Sequence, residues 1–162
     1  MALALVTSDF ASHTRLWTAT SEMNQDLVLE KLPQLIVKGQ DEVNARNSLI
    51  VCDFLPYGFD RLVPFLNAAT GFDYTEEELL IAGSRMQSLS RIYNMKKGRT
   101  HGDDTLPKRF FEEKSISGLM NGKKIPRRFF EKQVQEVFKI RGWDTEGFPT
   151  EETLDKLGLN PM

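Results

Sequence analysis

The sequence lacks most of the residues and runs that would place it in a specialised class. It contains a single cysteine, Cys52, in 162 residues, which excludes an internal disulfide framework and fits a reducing compartment. The formal net charge is only −2, so its overall charge does not favour nucleic acid or an anionic membrane as a partner. No apolar run approaches the roughly 18 residues of a transmembrane helix, and the opening MALALVTSDF has no basic signal-peptide region. We expect a cytoplasmic protein with no nucleic-acid or membrane partner.

Apolar residues are plentiful, and their spacing is mostly helical. They make up 40% of the chain and include 11 Phe, enough for a packed core. Helices are predicted from about Gln34 to Val51, from Asp60 to Ala69, and from Pro126 to Gly142. A short strand is considered only for LALVT near the start. The fold class is therefore mainly α, with one domain over 1–162 that divides into a loop-rich segment, a helical core, a wrapping loop and C-terminal helices (1–33, 34–98, 99–125 and 126–162).

The clearest helical pattern is TEEELLIAGSRMQSLSRIYNMKKG. Thr75 followed by Glu78 is the signature of a capping box, in which each residue binds a free amide at the helix start. Gly98 is suited to the position just after the helix end. Apolar residues recur at intervals of three and four, which predicts one buried stripe: Leu79, Ala82, Met86, Leu89 and Tyr93.

Two histidines are candidate functional residues. His13 lies in SDFASHTRLW beside Asp9 and Arg15, a setting that could bind an anion or transfer a proton. The alternative is a hydrogen-bonded loop histidine. His101 lies in THGDD, which suggests a metal site, although adjacent carboxylates more often serve as turn and cap residues.

Cys52 ends the apolar run NSLIVC. A free cysteine among apolar neighbours is most often a small core residue. It could also be one ligand of a metal centre whose other ligands lie elsewhere, since an iron–sulfur cluster takes four thiolates. The residues alone leave both readings open, and no Gly-rich phosphate loop or paired-cysteine motif is present.

Five stretches, in order along the chain, resemble the C-terminal part of the tungsten-containing aldehyde ferredoxin oxidoreductases. They are TSDFASHTRLWT, NSLIVCDF, LNAATGFDYTEEELLIAGSRMQSLSRIYNMKKG, DDTLPKRFFEE and RGWDTEGFPTEETLDKLGL. The second is similar to an Asp-Ser-Leu-Gly-Leu-Cys motif of the family, and the fourth to its Asp-Asp-Thr-Leu-Pro-x-Arg segment. Together they cover nearly the whole chain and imply the multihelical C-terminal fold of that family.

The resemblance implies roles for individual residues. Cys52 aligns with the last of four cysteines that ligate a four-iron four-sulfur cluster, so it would be a metal ligand and a cofactor-binding residue. Asn47 stands where the family has an Asp that contacts a pterin, and it keeps hydrogen-bonding capacity without the charge. Ile50 replaces the motif's Gly. His13 falls where the family places a His near the tungsten, which implies a catalytic role in proton transfer.

The resemblance also implies the activity of the complete enzyme. The family oxidises an aldehyde to a carboxylate and passes two electrons through a tungsten bis-pterin and the cluster to ferredoxin. This chain is not expected to do so alone, because the other three cysteines and the pterin-binding domain belong to an N-terminal region that it lacks. The sequence leaves open an excised domain, a separate subunit or a remnant that serves as a helical interaction protein. Apolar surfaces left exposed without that region would favour self-association as a homodimer.

Overall fold

The computed structural model describes residues 2–9, 25–52, 57–116 and 121–159. In those residues it contains helices and isolated bridges but no β-strand, which confirms the mainly α prediction. None of the described helices is both long enough and apolar enough to cross a membrane. The helices are α1 (Ala2–Val6), α2 (Gln25–Ser48), α3 (Phe59–Thr70), α4 (Glu76–Lys96), α5 (Arg109–Glu112), α6 (Arg127–Arg141) and α7 (Glu151–Lys156), with a 3₁₀ turn at His101–Asp103.

The chain begins with a helix, so the strand considered for LALVT is wrong. Leu3, Ala4 and Val6 are buried together, which a single helical turn achieves and an alternating strand on a sheet edge would not. No partner strand exists in the described residues. The Thr7 hydroxyl donates to the Leu3 carbonyl at 2.9 Å and closes the last turn.

The start of α2 also differs from the prediction. The helix begins at Gln25 and includes Pro33, whereas it was expected to begin after that proline. The helix-interior cost of Pro33 is offset by burial, because Pro33 is fully buried. The boundary predicted at residue 34 therefore falls inside α2, while the single-domain division remains a prediction.

Two apolar clusters form the core on either side of α2. The first joins α1, α2 and α6, and it contains the predicted stripe of α6: Phe130, Val134, Val137 and Phe138. The second joins α2, α3 and α4 around Ala45, Phe59, Leu62 and Leu79. A Cβ added to Gly83 of α4 would collide with the backbone carbonyl of Asp41. The glycine therefore permits the close approach of α4 to α2.

The ends of α4 are as predicted, but its buried side is not. Thr75 and Glu78 form the capping box. The buried residues of the helix are Leu79, Gly83, Gln87, Ser88 and Arg91. Leu89 and Tyr93 of the predicted stripe are 38% and 62% exposed. Leu79 is buried as predicted, but the later part of the stripe is wrong, because periodicity identifies an apolar side, whereas the neighbouring helices bury a polar one there.

Candidate functional site

The turn that ends α2 lies between two of the predicted site residues, Asn47 and Cys52. The Ile50 amide donates to the Asn47 carbonyl at 3.1 Å, and the Val51 amide donates to the Arg46 carbonyl at 3.3 Å. This pair of bonds is the Schellman arrangement, whose central residue adopts left-handed backbone angles. Ile50 occupies that position with φ 57°, where glycine is usual. The turn fixes the chain direction just before Cys52.

Cys52 is exposed and free, which contradicts the reading of it as a small buried core residue. The apolar run before Cys52 predicted a position next to the core. In the structure α2 ends before Cys52, and the turn at Ile50 leaves this residue on the surface. Asn47 is half-buried on the preceding turn of α2. The described residues contain no group of three potential metal-binding side chains. His13 lies outside the described residues.

A buried ion cluster joins α4 to the segments on either side of it. Arg91 is fully buried, and its guanidinium donates to both oxygens of Asp104 at 2.8 and 2.6 Å. Arg99 donates to the same carboxylate at 2.7 Å and lies 3.2 Å from Asp9 Oδ1. Such bidentate, charge-assisted bonds are strong and directional. The cluster, which we call the Arg91–Asp104 cluster, therefore fixes α4 against residue 9 and the loop after α4.

Asp9 holds the N-terminal segment to α4. Its side chain is fully buried, and Asn94 Nδ2 donates to its backbone and side-chain oxygens, both at 3.2 Å. Burial raises the pKa of Asp9, and this effect exceeds the opposing attraction of Arg91 and Arg99. The residues that follow Asp9 include His13, so the cluster fixes the point from which that segment departs.

The structure separates the roles of the two aspartates beside His101. Asp103 accepts hydrogen bonds from the Thr100 amide at 2.8 Å and its hydroxyl at 3.0 Å, which confirms it as a cap residue. Asp104 was also expected in a turn or cap, but it is the buried partner of Arg91. His101 Nδ1 lies 3.6 Å from Asp104 Oδ2, and the ring contacts Phe138 edge-on. His101 thus borders an ion cluster, and no metal site forms here among the described residues.

Sequence reasoning missed Arg91 and Arg99 as organising residues. Arg91 lies in the last part of α4 and Arg99 in the loop just after it. Their partners Asp9 and Asp104 are distant in sequence or lie in a run of residues typical of turns. The one available signal was the position of Arg91 off the predicted apolar stripe. A groove of about 840 Å³ between α4, α6 and the C-terminal segment contains none of the predicted site residues.

Comparison with known proteins identifies the family. The sequence profile described as "Aldehyde ferredoxin oxidoreductase, domains 2 & 3" matches residues 1–159. The tungsten-containing aldehyde ferredoxin oxidoreductase of Pyrococcus furiosus is 34% identical over 137 residues, which are 83% of this chain and 22% of that protein. The enzyme of the same name from Thermococcus kodakarensis is 32% identical with the same coverage. An aliphatic sulfonate oxidoreductase, WOR-like subunit, of Pyrococcus furiosus is 33% identical over 120 residues.

Solved structures agree on the fold. The active site complex BamBC of benzoyl coenzyme A reductase gives a TM-score of 0.68 at 22% identity, covering 85% of this chain and 20% of that one. The fold is thus that of a helical part of a much larger protein. The chain belongs to the aldehyde ferredoxin oxidoreductase family and corresponds to its C-terminal portion, as predicted. It spans about a fifth of the length of the curated relatives that it matches.

Proposed function

We propose that this chain is the helical portion of a cytoplasmic tungsten-dependent enzyme that oxidises an aldehyde to a carboxylate and delivers the electrons to ferredoxin. The proposal draws on the names of its relatives, tungsten-containing aldehyde ferredoxin oxidoreductases, and on the cysteine turn at the end of α2. The observation that carries it is that Cys52 is exposed and free, held by a defined turn. The rest of the machinery lies in the region that the relatives have beyond the matched part.

Cys52 fits the role of one iron–sulfur ligand among four. An exposed thiol can meet a cluster held from another side, which a buried one could not. One thiolate is insufficient by itself, and the sequence has no other cysteine. The isolated chain is therefore proposed to hold no four-iron four-sulfur cluster, and the complete enzyme is proposed to supply three further thiolates.

Asn47 is proposed to contact a pterin of the cofactor. It is half-buried on the turn of α2 that precedes Cys52, and its amide can donate and accept hydrogen bonds. The tungsten bis-pterin would supply the two-electron chemistry at the aldehyde carbon. His13, whose family counterpart lies near the metal, is proposed to accept or return a proton there.

The test is Cys52→Ser in the complete enzyme that contains this chain. Loss or bleaching of the visible iron–sulfur absorbance is expected, because a hydroxyl is a poor substitute for a thiolate ligand. Ser48→Ala is the matched control: it removes a hydroxyl from the same region without touching Cys52, and the absorbance should remain. An unchanged spectrum and unchanged activity in Cys52→Ser would refute the ligand role.

A second candidate is a helical interaction protein without redox activity. The observation that favours it is Ile50, whose side chain is 93% exposed in the turn where the family motif has glycine, next to an uncharged Asn47. The size of the native polypeptide distinguishes the two candidates. An antibody against this chain should detect a band far above 18.5 kDa if the chain is the tail of a complete enzyme. A band at that mass, with no co-purifying partner, would favour the interaction protein.

A further inference from the structure

The outer side of α4 is apolar and partly exposed. Tyr93 is 62% and Leu89 is 38% exposed, and Met86 is half-buried. On the other side of the helix, Gln87 and Arg91 are fully buried. A helix that buries polar groups and exposes apolar ones leaves the apolar side for another surface. We call Met86, Leu89 and Tyr93 the α4 outer face.

The α4 outer face connects the two places where cofactor residues are proposed. At one end Ser48, the last residue of α2, has its hydroxyl 3.3 Å from the sulfur of Met86, and Cys52 follows in the next turn. At the other end Leu89 and Tyr93 line a groove of about 380 Å³ that also includes Asp9. Met86 and Tyr93 are about 10 Å apart along the helix axis. One surface therefore runs from the cysteine turn to the residue that precedes the His13 segment.

We infer that the α4 outer face is the docking surface for the part of the enzyme that lies outside this chain in its relatives. This chain covers only 22% of such a relative, so a large region exists there to cover it. The inference rests on the proposed function. The end of α2 that leads to Cys52 contacts the face through Ser48 and Met86, so a region that brings three further thiolates to Cys52 also approaches the face. A second copy of this chain has only its own Cys52 and could not complete a four-thiolate site.

The composition of the face suits such an interface. Tyrosine combines a large apolar area with few rotatable bonds and is enriched among residues that dominate binding energy. Lys97 Nζ lies 5.6 Å from the centroid of the Tyr93 ring, which places a charge at the edge of the apolar centre. An apolar centre with a charged rim is the usual anatomy of a protein interface.

Thiol labelling in the complete enzyme tests the inference. Leu89→Cys and Tyr93→Cys are made singly and treated with a maleimide, and peptide-level mass spectrometry separates each new thiol from Cys52. Phe129→Cys on α6 is the matched control, because Phe129 is 40% exposed and lies in the other cluster's helix. After normalisation to the urea-unfolded protein, residues 89 and 93 should react at least about tenfold more slowly than residue 129, since a packed interface excludes the reagent.

Each other outcome overturns the inference. Equal labelling rates at the three positions would mean that the face is no better covered than residue 129 and is not the docking surface. Protection that disappears on dilution would identify a second copy as the occupant. Labelling does not depend on turnover, and the proposed function is read separately from the absorbance of Cys52→Ser. Failure of the docking surface and failure of the redox assignment are therefore distinguishable.

Discussion

Ile50→Gly is expected to stabilise this protein. Ile50 has φ 57°, and left-handed backbone angles cost an L-residue with a Cβ about 1–2 kcal/mol, with β-branched side chains the least suited. Its side chain is 93% exposed, so removing it sacrifices almost no buried apolar area. Glycine removes this strain, but its greater conformational freedom stabilises the unfolded state by about 0.5–1 kcal/mol. The net gain is about 0.5–1 kcal/mol.

Thermal and urea unfolding followed by circular dichroism measure this gain. For a chain of this length it corresponds to a rise in Tm of about 1–4 °C. The matched control is Ile116→Gly, because Ile116 is 94% exposed and has no positive φ. The same substitution there should destabilise by about 0.5–1 kcal/mol. Effects of the same sign at both positions would refute the reasoning, since it attributes the difference to backbone conformation alone.

Two further predictions concern the ion cluster and the helix cap. Asp104→Asn should lower the free energy of unfolding in urea by about 3–5 kcal/mol, because it removes the buried carboxylate that Arg91 and Arg99 share and leaves only Asp9, 3.8 Å from Arg91, to balance both charges. Glu131→Gln, in an exposed pair with Arg127 at 3.9 Å, should cost less than about 0.5 kcal/mol. Similar costs for the two would contradict the assignment. The Thr75 amide and hydroxyl lower the pKa of Glu78 from its ordinary value of 4.5, so its stabilisation is present above that value and lost as pH falls through the folded pKa. The difference in stability between the wild type and Glu78→Gln should therefore shrink below about pH 4.5, and a constant difference down to pH 2 would argue against the cap.

The exposed surface of the chain is the one expected if the chain is assembled into a larger protein, as proposed. A stand-alone protein rarely exposes a large contiguous apolar face. Here Leu89 and Tyr93 of the α4 outer face are exposed, and so is Cys52. An exposed apolar face is unfavourable in an isolated chain, but it would form an interface when the remaining region is present. The proposed redox function and the proposed docking surface therefore both require that the remaining region cover the surface that carries Cys52 and the α4 outer face.

Local signals were sufficient for the helices whose ends are set by neighbouring residues. The capping box at Thr75 and the glycine after α6 depend on contacts within a few positions, so the sequence predicted α4 and α6 with their ends. The single cysteine excluded an internal disulfide, and the resemblance of the motif around it predicted a role as a ligand of an iron–sulfur cluster. The family resemblance rests on the same short, ordered motifs.

Tertiary contacts decided what local signals could not. The pairing of Arg91 with Asp104 and the attachment of Asp9 to Asn94, 85 positions away, are long-range and leave no periodic trace. They turn the polar side of the second half of α4 inward, because buried charges require their partners, and so Leu89 and Tyr93 face outward. The sequence alone determined where α3, α4 and α6 form and that Cys52 is the one thiol. Packing decided that the first residues form a helix, that α2 extends back past Pro33, and which side each helix buries, since burial depends on neighbours that only the folded chain brings together.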